Sequence, residues 1–178
     1  MLTPILNTDK LILWSIREED AEEIFKCWMN DEEVSRYMLC KASDDVKEAK
    51  EFVRFELGNL DNPNWNRWII VLKASAAIIG TCLLFYNDEE MHWDVSYNLG
   101  KRYWSKGYVT EAIKKVMCYA KNTLGIKECA TAHAIKNLSS GRVLEKLGFK
   151  YEKEVPYVYS MGELETTGKY YSWTAVSA

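Results

Sequence analysis

The sequence predicts an α+β domain: a mixed, mostly antiparallel, twisted sheet of about seven strands with helices on both faces, three layers in all. Two observations carry this. Apolar residues switch between period-two runs and helical stripes. The runs come in the order strand, helices, three strands, helix, strand, helix, two strands, which leaves helices to cover the sheet. No repeat, low-complexity tract or linker breaks that order, so residues 1–178 read as a single domain.

The first strand is Leu11 to Ile16. Arg17-Glu18-Glu19-Asp20 then opens a helix whose apolar stripe is Ala21, Ile24, Phe25, Trp28 and Met29. Ser43-Asp44-Asp45 starts a second helix, a capping serine followed by two acids near the positive end of the dipole. Val46, Ala49, Val53 and Leu57 form its face, and Asp61 to Asn64 is turn chemistry. Strands follow at Trp65 to Leu72 and Ala77 to Tyr86, joined by Lys73 to Ala76. Asn87 to Glu90 turns the chain into a strand ending at Leu99. The next helix carries Ala112, Ile113, Val116, Met117 and Ala120 on one face and stops at Leu124-Gly125. Lys127 to Ile135 is a strand, and Asn137 caps a helix with Ser140, Val143, Leu144 and Leu147 before Gly148 ends it. Strands around Tyr151–Tyr159 and Lys169–Val176 meet through Met161-Gly162-Glu163.

With 48% hydrophobic and 13% aromatic residues, a chain of 178 residues forms a core without staples. Five scattered cysteines, an odd number, fit reduced thiols in the cytoplasm rather than a disulfide framework. No apolar run approaches the roughly 20 residues that span a bilayer, and Met1 to Asn7 has no signal-peptide pattern. No membrane partner is expected. Cysteine spacings do not suit a metal, and His92 and His133 are the only histidines, so no metal is expected. A net charge of −3 without a basic block argues against nucleic acid.

The most informative stretch is Tyr103-Trp104-Ser105-Lys106-Gly107-Tyr108-Val109-Thr110-Glu111-Ala112. A strand through Asp94 and Ser96 leads into a short segment with one glycine, and that segment leads into a helix. Helix-start amides lack internal partners, and the dipole there favours negative charge. The unit is a seat for phosphate.

At these residues the chain resembles motif A of the GNAT acyl-CoA N-acyltransferases, in the branch similar to ribosomal-protein N-terminal acetyltransferases. That branch typically reads W-G-K-G-Y-A-T-E-A, and this chain departs at Ser105 and Val109. Asn137, Ser140 and the run Arg142-Val143-Leu144-Glu145-Lys146-Leu147-Gly148-Phe149 resemble the family's motif B. The resemblance implies a V-shaped splay between the motif A strand and the next strand, with acetyl-CoA as cosubstrate and no metal. It implies coenzyme binding by Tyr97, Asn98 and Leu99, by Trp104, Ser105, Lys106, Gly107, Tyr108, Val109 and Thr110, and by Asn137. The acceptor would be an amine, either a peptide amino terminus or a small molecule, and the enzyme a monomer or homodimer. With Gly107 at the family's central glycine, Trp104 falls where Gln or Arg is usual and Val109 where Gly or Ala is usual.

Acyl transfer needs a neutral amine and a proton for the leaving thiolate. Many family members supply that proton from a tyrosine seven residues after the motif B asparagine; here Leu144 stands there, and Ser140 is the substitute hydroxyl. Asp94 falls where the branch often has Glu and could relay the amine's proton. A strand acid paired with a neighbour is an equal reading. His133 reads as a core histidine, Glu152 and Glu154 as a solvated face, and Trp14, Trp28, Trp65 and Trp68 as core. A second functional class stays open: a non-catalytic acyl-CoA-binding module, marked by the altered motif ends and the missing tyrosine.

Overall fold

A computed structural model describes residues 3–38, 40–159 and 164–175. Strands β1 (Leu6–Asn7), β2 (Leu11–Ser15), β3 (Trp65–Leu72), β4 (Ala77–Asn87) and β5 (His92–Leu99) form one antiparallel sheet in chain order. β6 (Glu128–Ala134), β7 (Lys150–Tyr159) and β8 (Leu164–Thr174) form a second, in the order β6-β8-β7. The helices are α1 (Ala21–Ile24), α2 (Glu32–Ser35), α3 (Val46–Gly58), α4 (Tyr108–Asn122) and α5 (Leu138–Lys146).

The first sheet has helices on both faces. Leu11, Leu13, Trp68, Ile70, Cys82 and Leu84 face α4, whose Ala112, Ile113, Val116, Met117 and Ala120 are all buried. This is the stripe that the helical period selects, and Ile113, Val116 and Met117 each stabilise the fold by about 1.5–3 kcal/mol on burial. Ile69, Val71 and Ile78 face a second core with Ile24, Trp28, Ala49 and Val53.

β5 and β6 abut without a shared ladder, which is the splay expected from the resemblance. A side-chain bond bridges them, from the Thr131 hydroxyl to the Val95 carbonyl at 3.2 Å. On its other side β5 is laddered to β4, and the Gly100 amide continues that ladder to the Ile79 carbonyl at 2.9 Å. Backbone groups of an antiparallel strand alternate between its two edges. Those of Asp94, Ser96 and Asn98 therefore face β4, and those of Val95, Tyr97 and Leu99 face the gap.

Three expectations change. The first long helix is a 3₁₀ turn (Glu18–Asp20), α1 and a π turn (Phe25–Met29). Cys27, Trp28 and Met29 are all buried along the wider turn, where an α-helix with a single apolar face would expose one of three successive residues. Asp45, not Ser43, caps α3, accepting from the Lys47 amide at 2.9 Å; the Ser43 hydroxyl accepts from the Asp45 amide one turn earlier. β8 starts at Leu164, before the expected Lys169, because the polar Glu165–Gly168 segment pairs along β7 without an apolar signal. Met161-Gly162-Glu163 and Val176 lie outside the described residues.

Candidate active site

Gly107 precedes α4 at φ +80°, in the left-handed region, and a Cβ built there would meet nothing within 4 Å. The glycine is required by the backbone, and the space before it is open. Side chains of Asp31, Asp45 and Asn137 cap α2, α3 and α5, but none caps α4. The first intrahelical bond there runs from the Glu111 amide to the Gly107 carbonyl, so the amides of Tyr108, Val109 and Thr110 precede the ladder. Uncapped helix-start amides of this kind favour anions.

The departures from the motif now have geometry. Ser105 lies at φ +60°, which explains the glycine usual at that position. Ser105→Gly is expected to raise stability by about 1 kcal/mol, a melting-point gain of about 2–4 °C in thermal unfolding. Val109 packs on the α4 core, so its branched carbons crowd the interior and leave the helix mouth clear. Trp104 donates its indole N–H to the Leu99 carbonyl at 2.7 Å, closing the loop onto the strand end. Lys106 donates back to the Arg102 carbonyl at 2.9 Å. Glu111 would oppose an anion at the first turn, but its carboxylate is turned to the β1–β2 connection. There it accepts from the Thr8 hydroxyl at 2.6 Å and the Lys10 amide at 2.9 Å.

Across the gap the Asn137 side chain accepts from the Ser140 amide at 3.2 Å, starting α5. The Tyr97 phenol lies 3.1 Å from Ser140 Oγ and 3.2 Å from the Ser140 carbonyl. Burial pushes this phenol above the ordinary tyrosine range, so it stays protonated. Its single proton serves one oxygen at a time. Given to the carbonyl, it leaves the serine hydroxyl donating back to Tyr97; given to Oγ, it leaves the serine proton free to point into the gap. Leu99 already accepts from Trp104, and Asn98 turns its backbone to β4, its side-chain Nδ2 being buried without a partner. Among the three strand residues expected to hold coenzyme, Tyr97 is the one whose backbone N–H and carbonyl both face the gap unclaimed by either ladder.

Asp94 is mostly buried on β5. Burial pushes its carboxyl up to about 6, against the opposing pull of the Thr131 hydroxyl, the charge of His92 and the Val95 amide. Tyr157 of β7 lies across Gly168, where a Cβ would come within 2.7 Å of it. Its phenol is raised by burial and then by the Asp94 charge. Groups from both sheets thus lie within electrostatic reach of one another beside the gap.

His133 is a core residue: it is buried, stacks on Tyr171 at 5.4 Å, and its Nδ1 lies 2.8 Å from the Ala134 carbonyl. Burial lowers its basicity. Glu152 and Glu154 are exposed, as expected; Trp28 and Trp68 are core, whereas Trp14 and Trp65 are half-buried. Sequence reasoning missed the Tyr97 phenol, Thr131 and the displacement of Glu111. An aromatic on the motif A strand, at a position facing the next wall, was the available signal for the first.

A sheet split beside an uncapped helix mouth is the arrangement expected of an acyl-CoA-dependent acyltransferase. The profile of the acetyltransferase (GNAT) domain matches residues 10–150. The chain belongs to the GNAT acetyltransferase family. It is 31% identical to the uncharacterized N-acetyltransferase YoaA of Bacillus subtilis (strain 168) over 94% of this chain and 95% of that one. The ribosomal-protein-S5-alanine acetyltransferase of Vibrio fischeri superposes with a TM-score of 0.81 at 20% identity, covering 96% of each chain. The microcin C7 self-immunity acetyltransferase MccE, solved with acetyl-CoA and AMP, gives 0.83 at 19% identity and 94% of each chain. The chain is an acetyl-CoA-dependent N-acetyltransferase of this family.

Proposed function

We propose that this enzyme moves the acetyl group directly from acetyl-CoA to a primary amine, a protein amino terminus or a small molecule, in a ternary complex. The observation that supports this most is the placing of Asp94, the Tyr97 backbone and Ser140 around one gap that leads to the α4 mouth. The α4 amides hold the diphosphate, and the outward N–H and carbonyl of Tyr97 align the amide-bearing arm. Asp94, ionised above about pH 6, takes the proton of the arriving ammonium, directly or through water. The neutral nitrogen attacks the thioester carbon, and as the C–S bond breaks the Ser140 hydroxyl passes its proton to sulfur while the adduct nitrogen's surplus proton returns through water to the serine oxygen. Tyr97 orients that hydroxyl.

Incubating the protein with acetyl-CoA and peptides, polyamines or aminoglycosides, and measuring thiol release, tests this reading. Coenzyme binding without amine-dependent release would favour the non-catalytic binding module. Ser140→Ala is expected to lower kcat about tenfold and leave CoA affinity unchanged, because its bond forms only as sulfur departs. Tyr97→Phe should give a smaller loss of the same kind. Weaker CoA binding in Ser140→Ala would instead make the serine a contact to the pantetheine arm.

A further inference from the structure

We infer that the acceptor is a small aromatic monoamine, its nitrogen at Asp94 and its ring laid on Phe85 and Trp65, the inner part of a shelf that Phe55 extends to solvent. The inference rests on reading Asp94 as the acceptor's end of the site. In the ladders Trp65 pairs with Phe85 and Phe85 with Asp94, so the three side chains leave one face of the sheet in one row. Neighbouring strands are about 4.8 Å apart, which sets Phe85 one step and Trp65 two steps from the acid. The rings touch in series: Trp65 and Phe85 at 5.4 Å, Phe55 and Trp65 edge-on at 6.0 Å.

The outer ring is open, since Phe55 is 59% exposed on α3. One exposed aromatic needs no explanation; three in contact, running from solvent to a carboxylate, do. The carboxylate next to the outer ring is not free. Glu56, next to Phe55, is buried and accepts from the Arg67 guanidinium and the Trp65 indole, each at 2.8 Å. A polycation would find Asp94, with the charge of Glu90 reaching it from the β4–β5 turn, but along the shelf only ring faces. A monoamine with an aryl group two or three bonds from nitrogen would match both the charge and the apolar surface, and its ring could pack offset or edge-on.

The test uses 2-phenylethylamine, ethylamine and spermidine as probes. Binding is followed by saturation-transfer NMR in the presence of CoA, and transfer by thiol release. 2-Phenylethylamine should bind more tightly than ethylamine and spermidine. Phe85→Leu, which removes the ring one strand step from the acid, should weaken it about five- to tenfold while leaving ethylamine and the CoA-induced thermal shift unchanged. Equal binding of the three amines, a preference for spermidine, or an unaffected Phe85→Leu variant would overturn the shelf. Ring-dependent binding without acetyl transfer would support the shelf and refute the proposed reaction, so the two failures are distinguishable.

Discussion

Gly107→Val is expected to abolish the thermal shift that CoA gives the unsubstituted protein. Bound at a hundredfold excess over Kd, the coenzyme stabilises the fold by about 2.7 kcal/mol, which for a chain of this size is about 5–10 °C. Valine harms the seat twice. It is β-branched and must sit at φ +80°, where side chains are strained, so the turn that aims the α4 amides shifts. Its methyl groups also enter the open space in front of the helix mouth, where nothing of the protein lies within 4 Å of the Cβ. Gly107→Ala separates the two effects: it carries most of the strain and little of the bulk, so a reduced but measurable shift is expected. A valine variant whose CoA shift is undiminished would place the diphosphate elsewhere.

Asp94→Asn should lower kcat about a hundredfold at pH 7, recover much of it near pH 9, and make the protein more stable at neutral pH. The last effect follows from the sign of the shift. The carboxyl titrates near 3.8 in the unfolded chain and at about 6 when folded. Below pH 3.8 it is protonated in both states and costs nothing. Between the two values the unfolded chain gives up its proton and the folded one does not, so stability falls as pH rises, until the full cost applies above pH 6. Asparagine removes a cost on the order of 1–3 kcal/mol there, and none below pH 4. Melting curves and pH–rate profiles on one preparation decide the matter. A variant more stable at pH 8 with an unchanged rate profile would leave Asp94 a buried acid without a role in proton transfer.

Much of this site was legible because its backbone demands leave marks in the sequence. Gly107 and Asn137 announce a left-handed turn and a cap, and the α4 stripe repeats with the helical period over fifteen residues. Strands β3 and β4 were equally clear, being long apolar runs with turn residues between them. Short or locally polar elements escaped: the two residues of β1, the four of α2 and the Glu165–Gly168 part of β8 carry no period. Side-chain direction escaped too. That Glu111 swings to Thr8, or that Tyr97 reaches Ser140, depends on segments 103 and 43 residues apart coming together, which no local pattern records.

The outward edge of β5 has a consequence for selectivity by shape. An unpaired strand edge is ordinarily an invitation to any extended chain. Here that edge is recessed, with Thr131 bridging one end, Trp104 folded over the other and the Tyr97–Ser140 contact between them. A polypeptide strand would have to bring its side chains past the Tyr97–Ser140 contact. A thread of methylenes and amides without branches near the strand can enter and borrow the hydrogen bonds a neighbouring strand would make. With the proposed seating, the coenzyme's arm would be read by slenderness as much as by chemistry, and in lying along the edge it would blunt a surface that is otherwise sticky.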